Sequence, residues 1–470
     1  MQSAGANQTP HLSFDRGTLV LSSVSREARP TPGEIPWEWD ARVSAWRCEA
    51  FHYPKLKALS QKSVVDFLDE IPEPLRVGWP EPNLHKLRPD QLQALEAWGA
   101  AGRRGVVVMP TGTGKTEVAL AAMKEASVAT LVVAPVRDLM YQWHRRIRQG
   151  LGYDAGILGD ATRNVRTVTV TTYDSAYIHM AELGARFGMV VFDEVHHLPG
   201  KIRREAALFC AAPLRLGLTA TPERADGLHQ DLDWLIGPVV YRLAVSEAKG
   251  KTLADYDVVR IPVALTEQER AIYEQAGREV RSFIAEQKEE YPSYDFKALC
   301  ADAGKDPAAR QAQKSFRLRK AIEDRAQEKL RVLEDIFRLH VGERVIVFAG
   351  SNAMAFEASR RFLLPTILSH TGKRERSEVL DGFLEGRFPA IIANQVLDEG
   401  VDVPAAKVAV VIGGQASARQ AKQRLGRILR RSGETRATLY EVVCEDTGEI
   451  QRSRSRRRSD AYGRSVHRRL

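Results

Sequence analysis

The stretch RGVVVMPTGTGKTEVALAAMKEA, residues 104–126, leaves little freedom in how this chain can fold. An apolar run, GVVVM, enters a loop containing GxGKT, and the loop opens into the helical TEVALAAMKEA. Gly112 and Gly114 let successive backbone N–H groups curl around a phosphate with no Cβ in the way. Lys115 supplies a positive charge for β- and γ-phosphates, Thr116 a hydroxyl for Mg²⁺, and Thr111 and Thr113 complete the loop. The N-terminus of the following helix favours the same anion. A regular loop of this kind has a further glycine upstream, where this chain carries Met109 and Pro110. With a strand before it and a helix after it, a chance turn is the weaker reading.

Such a loop needs a carboxylate at the end of a neighbouring strand, to hold Mg²⁺ through water, and a second one to activate the attacking water. FGMVVFDEVHHLPG, residues 187–200, offers that pair: Asp193 and Glu194 close the apolar run MVVF. Thr116 and Asp193 are therefore expected on the metal side and Glu194 on the water side. His196 and His197 follow at once. Adjacent side chains diverge, and no further His or Cys lies nearby in sequence, so the pair is read as metal-free. His196 is expected to couple the nucleotide site to TAT at 219–221.

The 470 residues are enough for two or three domains, and 44% hydrophobic with 27% charged residues is ordinary for a globular protein. The net charge of +9 is compatible with a polyanionic partner. No apolar run approaches the roughly 20 residues of a membrane helix. MQSAGANQTPHLSFD lacks the pattern of a secretory signal, so a cytoplasmic, nucleoid-associated protein is expected. Cys48, Cys210, Cys300 and Cys444 form no CxxC pair and read as structural thiols.

Proline clusters at 30–36 and 72–82 bracket an opening segment of short strands and turns, predicting a small N-terminal module over 1–83. From Leu84, continuous apolar runs alternate with amphipathic helices: GVVVMP, ATLVVAPV, TVTVTTY, MVVFDE and LRLGLTAT. Such runs predict parallel strands buried on both faces, here one α/β domain over 84–245. Residues 246–325 become charged and helical around an irregular tip, EEYPSYDFKALCADAGKDP. RVIVFAG, AIIANQVLDEG, VAVVIGG and TLYEVV then restore the rhythm over 326–450. The tail, 451–470, is Arg/Ser-rich and biased toward disorder.

The ordered series MPTGTGKT, APVRDL, TTYDSA, DEVHH, TAT, IVFAGS, NQVLDEGVDVP and QRLGRILR resembles a superfamily 2 helicase. TTYDSAYIHMAELGARFGMVVFDEVHHLPG, LRLGLTATPERADG and SARQAKQRLGRILR are similar to the archaeal and bacterial XPB-type DNA helicases. The resemblance implies an α/β fold of two tandem RecA-like parallel-sheet domains, with a damage-recognition-like N-terminal α+β module and a thumb-like helical insertion. It implies ATP and Mg²⁺ as cofactors, DNA (single-stranded, forked or damaged) as substrate, 3′–5′ polarity, and a nuclease as partner.

Residue by residue, the resemblance places Arg88 and Gln91 of KLRPDQLQAL at adenine. The second α/β unit has no glycine–lysine cradle of its own, which suits a partner wall. There Gln423, Arg427 and Arg430 are expected to act on the γ-phosphate, the arginines as fingers. Asp398, Glu399, Gly400 and Asp402 join the nucleotide site to the DNA path, with Gly400 and Asp402 on the nucleotide side. Arg137, Thr171, Thr172, Ser351 and Gln395 are candidates for backbone phosphate contacts. After LTATP, the family carries an Arg-Glu-Asp element linked to strand separation; here Arg224 and Asp226 flank Ala225. Two other activities stay open: a duplex translocase with little strand separation, and a binding protein that uses nucleotide only as a switch.

Overall fold

The computed structural model describes residues 9–28, 30, 34–224, 226–248, 256–394, 406–413 and 437–457. The chain divides into two compact units, Met1–Leu243 and Ala244–Leu470. No helix among the described residues is long and apolar enough to cross a membrane.

The N-terminal module is a five-stranded sheet of β1 (His11–Asp15), β2 (Thr18–Ser22), β3 (Glu38–Asp40), β4 (Ala45–Glu49) and β5 (Leu68–Asp69), with a helix at Tyr53–Gln61. The spatial order is β3-β4-β2-β1-β5. The turn between β1 and β2 places Arg16 and Gly17 at φ of 47° and 82°, the left-handed pair that a tight hairpin requires. A Cβ on Gly17 would also stand 2.5 Å from the Phe209 ring, so glycine permits the sheet to lie against the next domain.

That next domain is an eight-stranded sheet: β6 (Arg104–Val108), β7 (Thr130–Ala134), β8 (Gly156–Gly159), β9 (Thr162–Asn164), β10 (Val168–Thr172), β11 (Met189–Asp193), β12 (Leu214–Thr219) and β13 (Val239–Arg242). The order is β13-β6-β12-β11-β7-β10-β8-β9, parallel except at the β8–β9 hairpin. β6, β7, β11 and β12 are the continuous apolar runs of the sequence, and nearly every residue in them is buried. The connection at 72–83 belongs with this sheet: Ala129 N donates to Leu75 O at 2.7 Å and Val77 N to Ser127 O at 3.0 Å.

Arg215 fastens the module to the sheet. Its fully buried guanidinium donates to the carbonyls of Ala207, Cys210, Ala212 and Leu235 and faces the Phe51 ring at 4.8 Å. Burial lowers its pKa to about 10, which still leaves it charged at neutral pH, solvated by four carbonyl oxygens in place of water.

The second unit holds an all-parallel sheet: β14 (Tyr256–Val263), β15 (Val345–Ala349), β16 (Thr366–Ile367), β17 (Ala390–Asn394), β18 (Val408–Ile412) and β19 (Ala437–Cys444), in the order β14-β19-β18-β15-β17-β16. β14 lies in the segment expected as linker and insertion, yet it pairs with β19 along its whole length. Pro262 is tolerated there because β14 is an edge strand. The insertion itself is the helix pair Glu267–Glu290 and Pro307–Asp324. Its expected irregular tip contains a further helix, Phe296–Asp302, whose Asp295 cap accepts the N–H groups of Lys297 and Ala298 at 2.9 Å.

The expected disordered tail also begins differently. Residues Gly448–Arg457 form a helix, and its side chains enter a buried ionic network. Lys329 Nζ lies 2.8 Å from Glu449 Oε2 and donates to Glu323 O at 2.6 Å; Arg452 pairs with Glu323, and Ser453 Oγ donates to Glu441 at 3.0 Å. Glu323 lies in the last turn of one insertion helix and Lys329 in the first turn of the helix Gln327–Leu339, so the network ties the insertion to the sheet. Lys329→Met is expected to destabilise this unit by about 3–5 kcal/mol, because Glu449 would remain charged and buried. Adding Glu449→Leu should recover most of the loss in a urea titration; a single variant within 1 kcal/mol or so of wild type would contradict the network's role.

Candidate nucleotide and nucleic-acid site

β6 delivers the loop Met109–Gly114 to the start of the helix Lys115–Ala126. Gly112 and Gly114 take φ of 84° and 77°, and a Cβ at Gly114 would stand 2.4 Å from Gln91 Nε2. Lys115 Nζ folds over the loop and donates to Met109 O at 3.1 Å. Thr113 Oγ1 donates to Pro110 O at 2.7 Å, while Thr111 Oγ1 is buried with no hydrogen-bond partner among the described residues. Thr116 is the second residue of the helix. A concave turn of N–H groups, a cation and a spare hydroxyl at a helix N-terminus fit a bound phosphate chain. Gln91 and Arg88 brace this loop: Gln91 Nε2 donates to Thr113 O at 3.1 Å, and the Arg88 guanidinium reaches the same carbonyl.

β11 ends in the carboxylate pair. Asp193 Oδ1 accepts the N–H of Glu194 at 3.0 Å, Oδ2 accepts Trp143 Nε1 at 2.8 Å, and Tyr173 Oη donates to the Asp193 carbonyl at 3.0 Å. Glu194 itself sits at φ 45° and ψ 55°. A left-handed glutamate costs on the order of 1 kcal/mol, a strain typical of functional sites. The Glu194 carboxylate lies 3.5 Å from His196 Nδ1, which is 3.0 Å from Thr219 Oγ1 at the end of β12. Thr219 Oγ1 accepts Thr221 N at 3.1 Å, so His196 does touch the TAT segment. His197 turns instead toward Arg203, 3.5 Å from its Nη1.

Burial, and then the charge of Glu194, push the Asp193 pKa up to about 6; Trp143 and Lys115 oppose the shift. The unfolded carboxyl titrates near 3.9, so the folded protein holds this proton more tightly. The stability this contributes is fully present below about pH 4 and is lost as pH rises through 6. Asp193→Asn cannot ionise. In EDTA its stability relative to wild type is expected to rise by on the order of 2 kcal/mol between pH 4 and pH 7, on top of a constant loss from the one N–H, of Trp143 or Glu194, that the amide nitrogen cannot accept. Parallel stability curves at the two pH values would contradict that environment.

The expected strand contacts divide. Arg137 is 63% exposed at the start of the helix Arg137–Leu151, paired with Asp160 at 2.7 Å. Thr171 is a correction: it is fully buried in β10, and its hydroxyl donates to Leu158 O at 2.7 Å, which removes it from any surface contact. The Thr172 hydroxyl is committed as helix cap to Ser175 N at 3.3 Å. Ser351 likewise caps a helix through Met354 N at 3.1 Å and bonds Asp324. Arg224 and Asp226 form a two-point ion pair, and Arg224 Nη1 also donates to the His196 carbonyl at 2.7 Å. Ala225, Gln395, Asp398, Glu399, Gly400, Asp402, Gln423, Arg427 and Arg430 lie outside the described residues.

β12 stands between β6 and β11, so the phosphate loop and the carboxylates share one sheet edge, about 10 Å apart at ordinary strand spacing. Thr219 touches both sides, since Met109 N donates to its carbonyl at 3.0 Å and His196 meets its hydroxyl. Such a sheet, followed by a second parallel sheet, belongs to the class of tandem RecA-like motors.

Comparison with known proteins narrows the class. Residues 12–71 match the Xeroderma pigmentosum group B helicase damage recognition domain, 84–224 the Type III restriction enzyme res subunit, and 311–460 the ERCC3/RAD25/XPB C-terminal helicase. The DNA 3'-5' translocase XPB2 of Sulfurisphaera tokodaii is 39% identical over 425 residues, 89% of this chain and 95% of that one. The DNA 3'-5' helicase XPB of Kineococcus radiotolerans is 31% identical, over 79% of this chain and 65% of its own length. Among solved structures, the Pyrococcus furiosus Hef helicase domain aligns with a TM-score of 0.53 at 16% identity, over 78% of this chain and 98% of that one. Dbp5 of S. cerevisiae bound to RNA and ADP BeF3 aligns with 0.56 at 16% identity, over 89% and 93%. At that identity the two structures show the fold alone. The chain belongs to the XPB-type family of superfamily 2 DNA helicases, which are ATP-driven enzymes.

Proposed function

We propose that the protein hydrolyses ATP with Mg²⁺ to move 3′ to 5′ along DNA, opening it in DNA repair. The observation that carries this reading is the placement of Lys115 and its loop on one sheet edge with Asp193 and Glu194, joined through Thr219. Lys115 and the loop N–H groups would bind the phosphates, and Thr116 and Asp193 would hold the metal. Bound Mg²⁺ supplies charge neutralisation at the phosphates. Glu194 receives the proton of the attacking water, with the buried His196 ring 3.5 Å from its carboxylate. Gln423, Arg427 and Arg430 enter on their sequence motif alone, as do Gly400, Asp402 and Gln395. Arg137, Arg224 and Asp226 remain the described candidates for the strand path. A nuclease partner and a nucleoid location rest on the family resemblance.

One observation favours the translocase reading. Arg224 and Asp226 satisfy each other and the His196 carbonyl, and the residue between them is Ala rather than Glu. The Sulfurisphaera relative is itself named a translocase. A forked duplex with a labelled strand separates the readings: a helicase releases it in step with ATP consumption, whereas a translocase consumes ATP and leaves it paired. In the second case, Ala225→Glu is expected to raise release several-fold at unchanged DNA-stimulated ATPase. Unchanged release in that variant would make Ala225 neutral.

A further inference from the structure

The helix Arg137–Leu151 buries Met140, Trp143 and Ile147, a spacing that by itself marks Trp143 as an ordinary core residue. Its indole does more than fill space. A buried indole N–H needs an acceptor, and here that acceptor is Asp193 Oδ2 at 2.8 Å, the carboxylate that ends β11. The other oxygen, Oδ1, takes the N–H of Glu194 at 3.0 Å. One donor on each oxygen, from two different elements, fixes the carboxylate against rotation. Each oxygen keeps a further lone pair for a ligand.

The helix carrying Trp143 is anchored along its length. Arg137, its first residue, pairs with Asp160, and Tyr141 Oη donates to Asp160 Oδ2 at 2.9 Å. Arg146 pairs with Glu117, one turn into the phosphate-loop helix. Trp143 lies six positions along the helix from Arg137, a rise of about 9 Å. A rigid rod thus joins an exposed arginine to the buried Asp193 carboxylate.

We propose that Trp143 is a positioning residue for Asp193: its indole N–H holds the carboxylate in the orientation that takes the metal, and ties that orientation to the helix begun by Arg137. The proposal rests on the nucleotide-site reading above. The test replaces Trp143 by 3-benzothienylalanine, which keeps the shape and loses the N–H, with Trp143→Phe as a second variant. Affinity of the protein–ADP complex for Mn²⁺ is read from the free-ion resonance signal, beside ADP affinity in EDTA, melting temperature and kcat. Mn²⁺ affinity should fall at least fivefold and kcat at least tenfold, with metal-free ADP affinity held and the melting temperature lowered only by the few degrees that one lost buried hydrogen bond costs. Mn²⁺ affinity within twofold of wild type in both variants would overturn the proposal. So would a loss matched by equal losses of metal-free ADP affinity and stability, which is the behaviour of a packing residue. A wild-type protein that binds neither ADP nor Mn²⁺–ADP would instead remove the nucleotide-site reading, and this proposal with it.

Discussion

Glu194→Gln is expected to bind ATP within about threefold of wild type and to hydrolyse it at least 100-fold more slowly, the scale of losing a general base. The substitution is nearly isosteric. The left-handed backbone at this position and the N–H bond to Asp193 Oδ1 belong to the main chain and should survive. What is lost is the negative oxygen 3.5 Å from His196, the group proposed to take a proton from water. Steady-state turnover beside a fluorescent-nucleotide titration checks both halves. Turnover within twofold of wild type would move the base elsewhere.

Lys115→Ala is expected to fail earlier, at binding. Charge-assisted hydrogen bonds to phosphate contribute roughly 2–3 kcal/mol, so ATP affinity should fall about 30- to 150-fold and turnover should become undetectable. The ammonium now rests on the Met109 carbonyl at 3.1 Å, and its removal leaves an acceptor on the loop without this donor. The fold should hardly change, because Lys115 begins its helix and makes no part of the sheet core. Isothermal titration with ATP measures the loss. Wild-type affinity would mean that the loop does not cradle phosphate.

What could be read from the sequence followed from how local the cause was. The phosphate loop is one continuous stretch whose glycines, lysine and flanking apolar run each have their own physical reason. Asp193 and Glu194 were legible because a strand that ends in two carboxylates is costly without a use for them. Trp143 was not legible: its contact with Asp193 spans 50 positions, and at helical spacing with Met140 and Ile147 a tryptophan reads as core. The same limit hid the fate of Thr171, whose hydroxyl finds a carbonyl on a neighbouring strand, Leu158. The β8–β9 hairpin is too short and glycine-bounded for an alternating pattern to emerge. Over 451–457, the first residues of the tail, composition misled. Arginine and serine suggested solvent, but Arg452 and Ser453 meet buried Glu323 and Glu441, partners more than ten positions away that no local window includes. A truncation that probes the basic tail should therefore begin after Arg457, leaving the helix in place.

One site built from Lys115, Asp193 and Glu194 is proposed to hydrolyse ATP in response to DNA. Steady-state hydrolysis of MgATP, with and without a forked DNA and at two salt concentrations, decides the matter. DNA should raise kcat at least tenfold, and the DNA concentration for half-stimulation should rise steeply with salt, as phosphate-driven binding requires. Hydrolysis at the same rate with and without DNA, at both salt concentrations, would contradict that proposal.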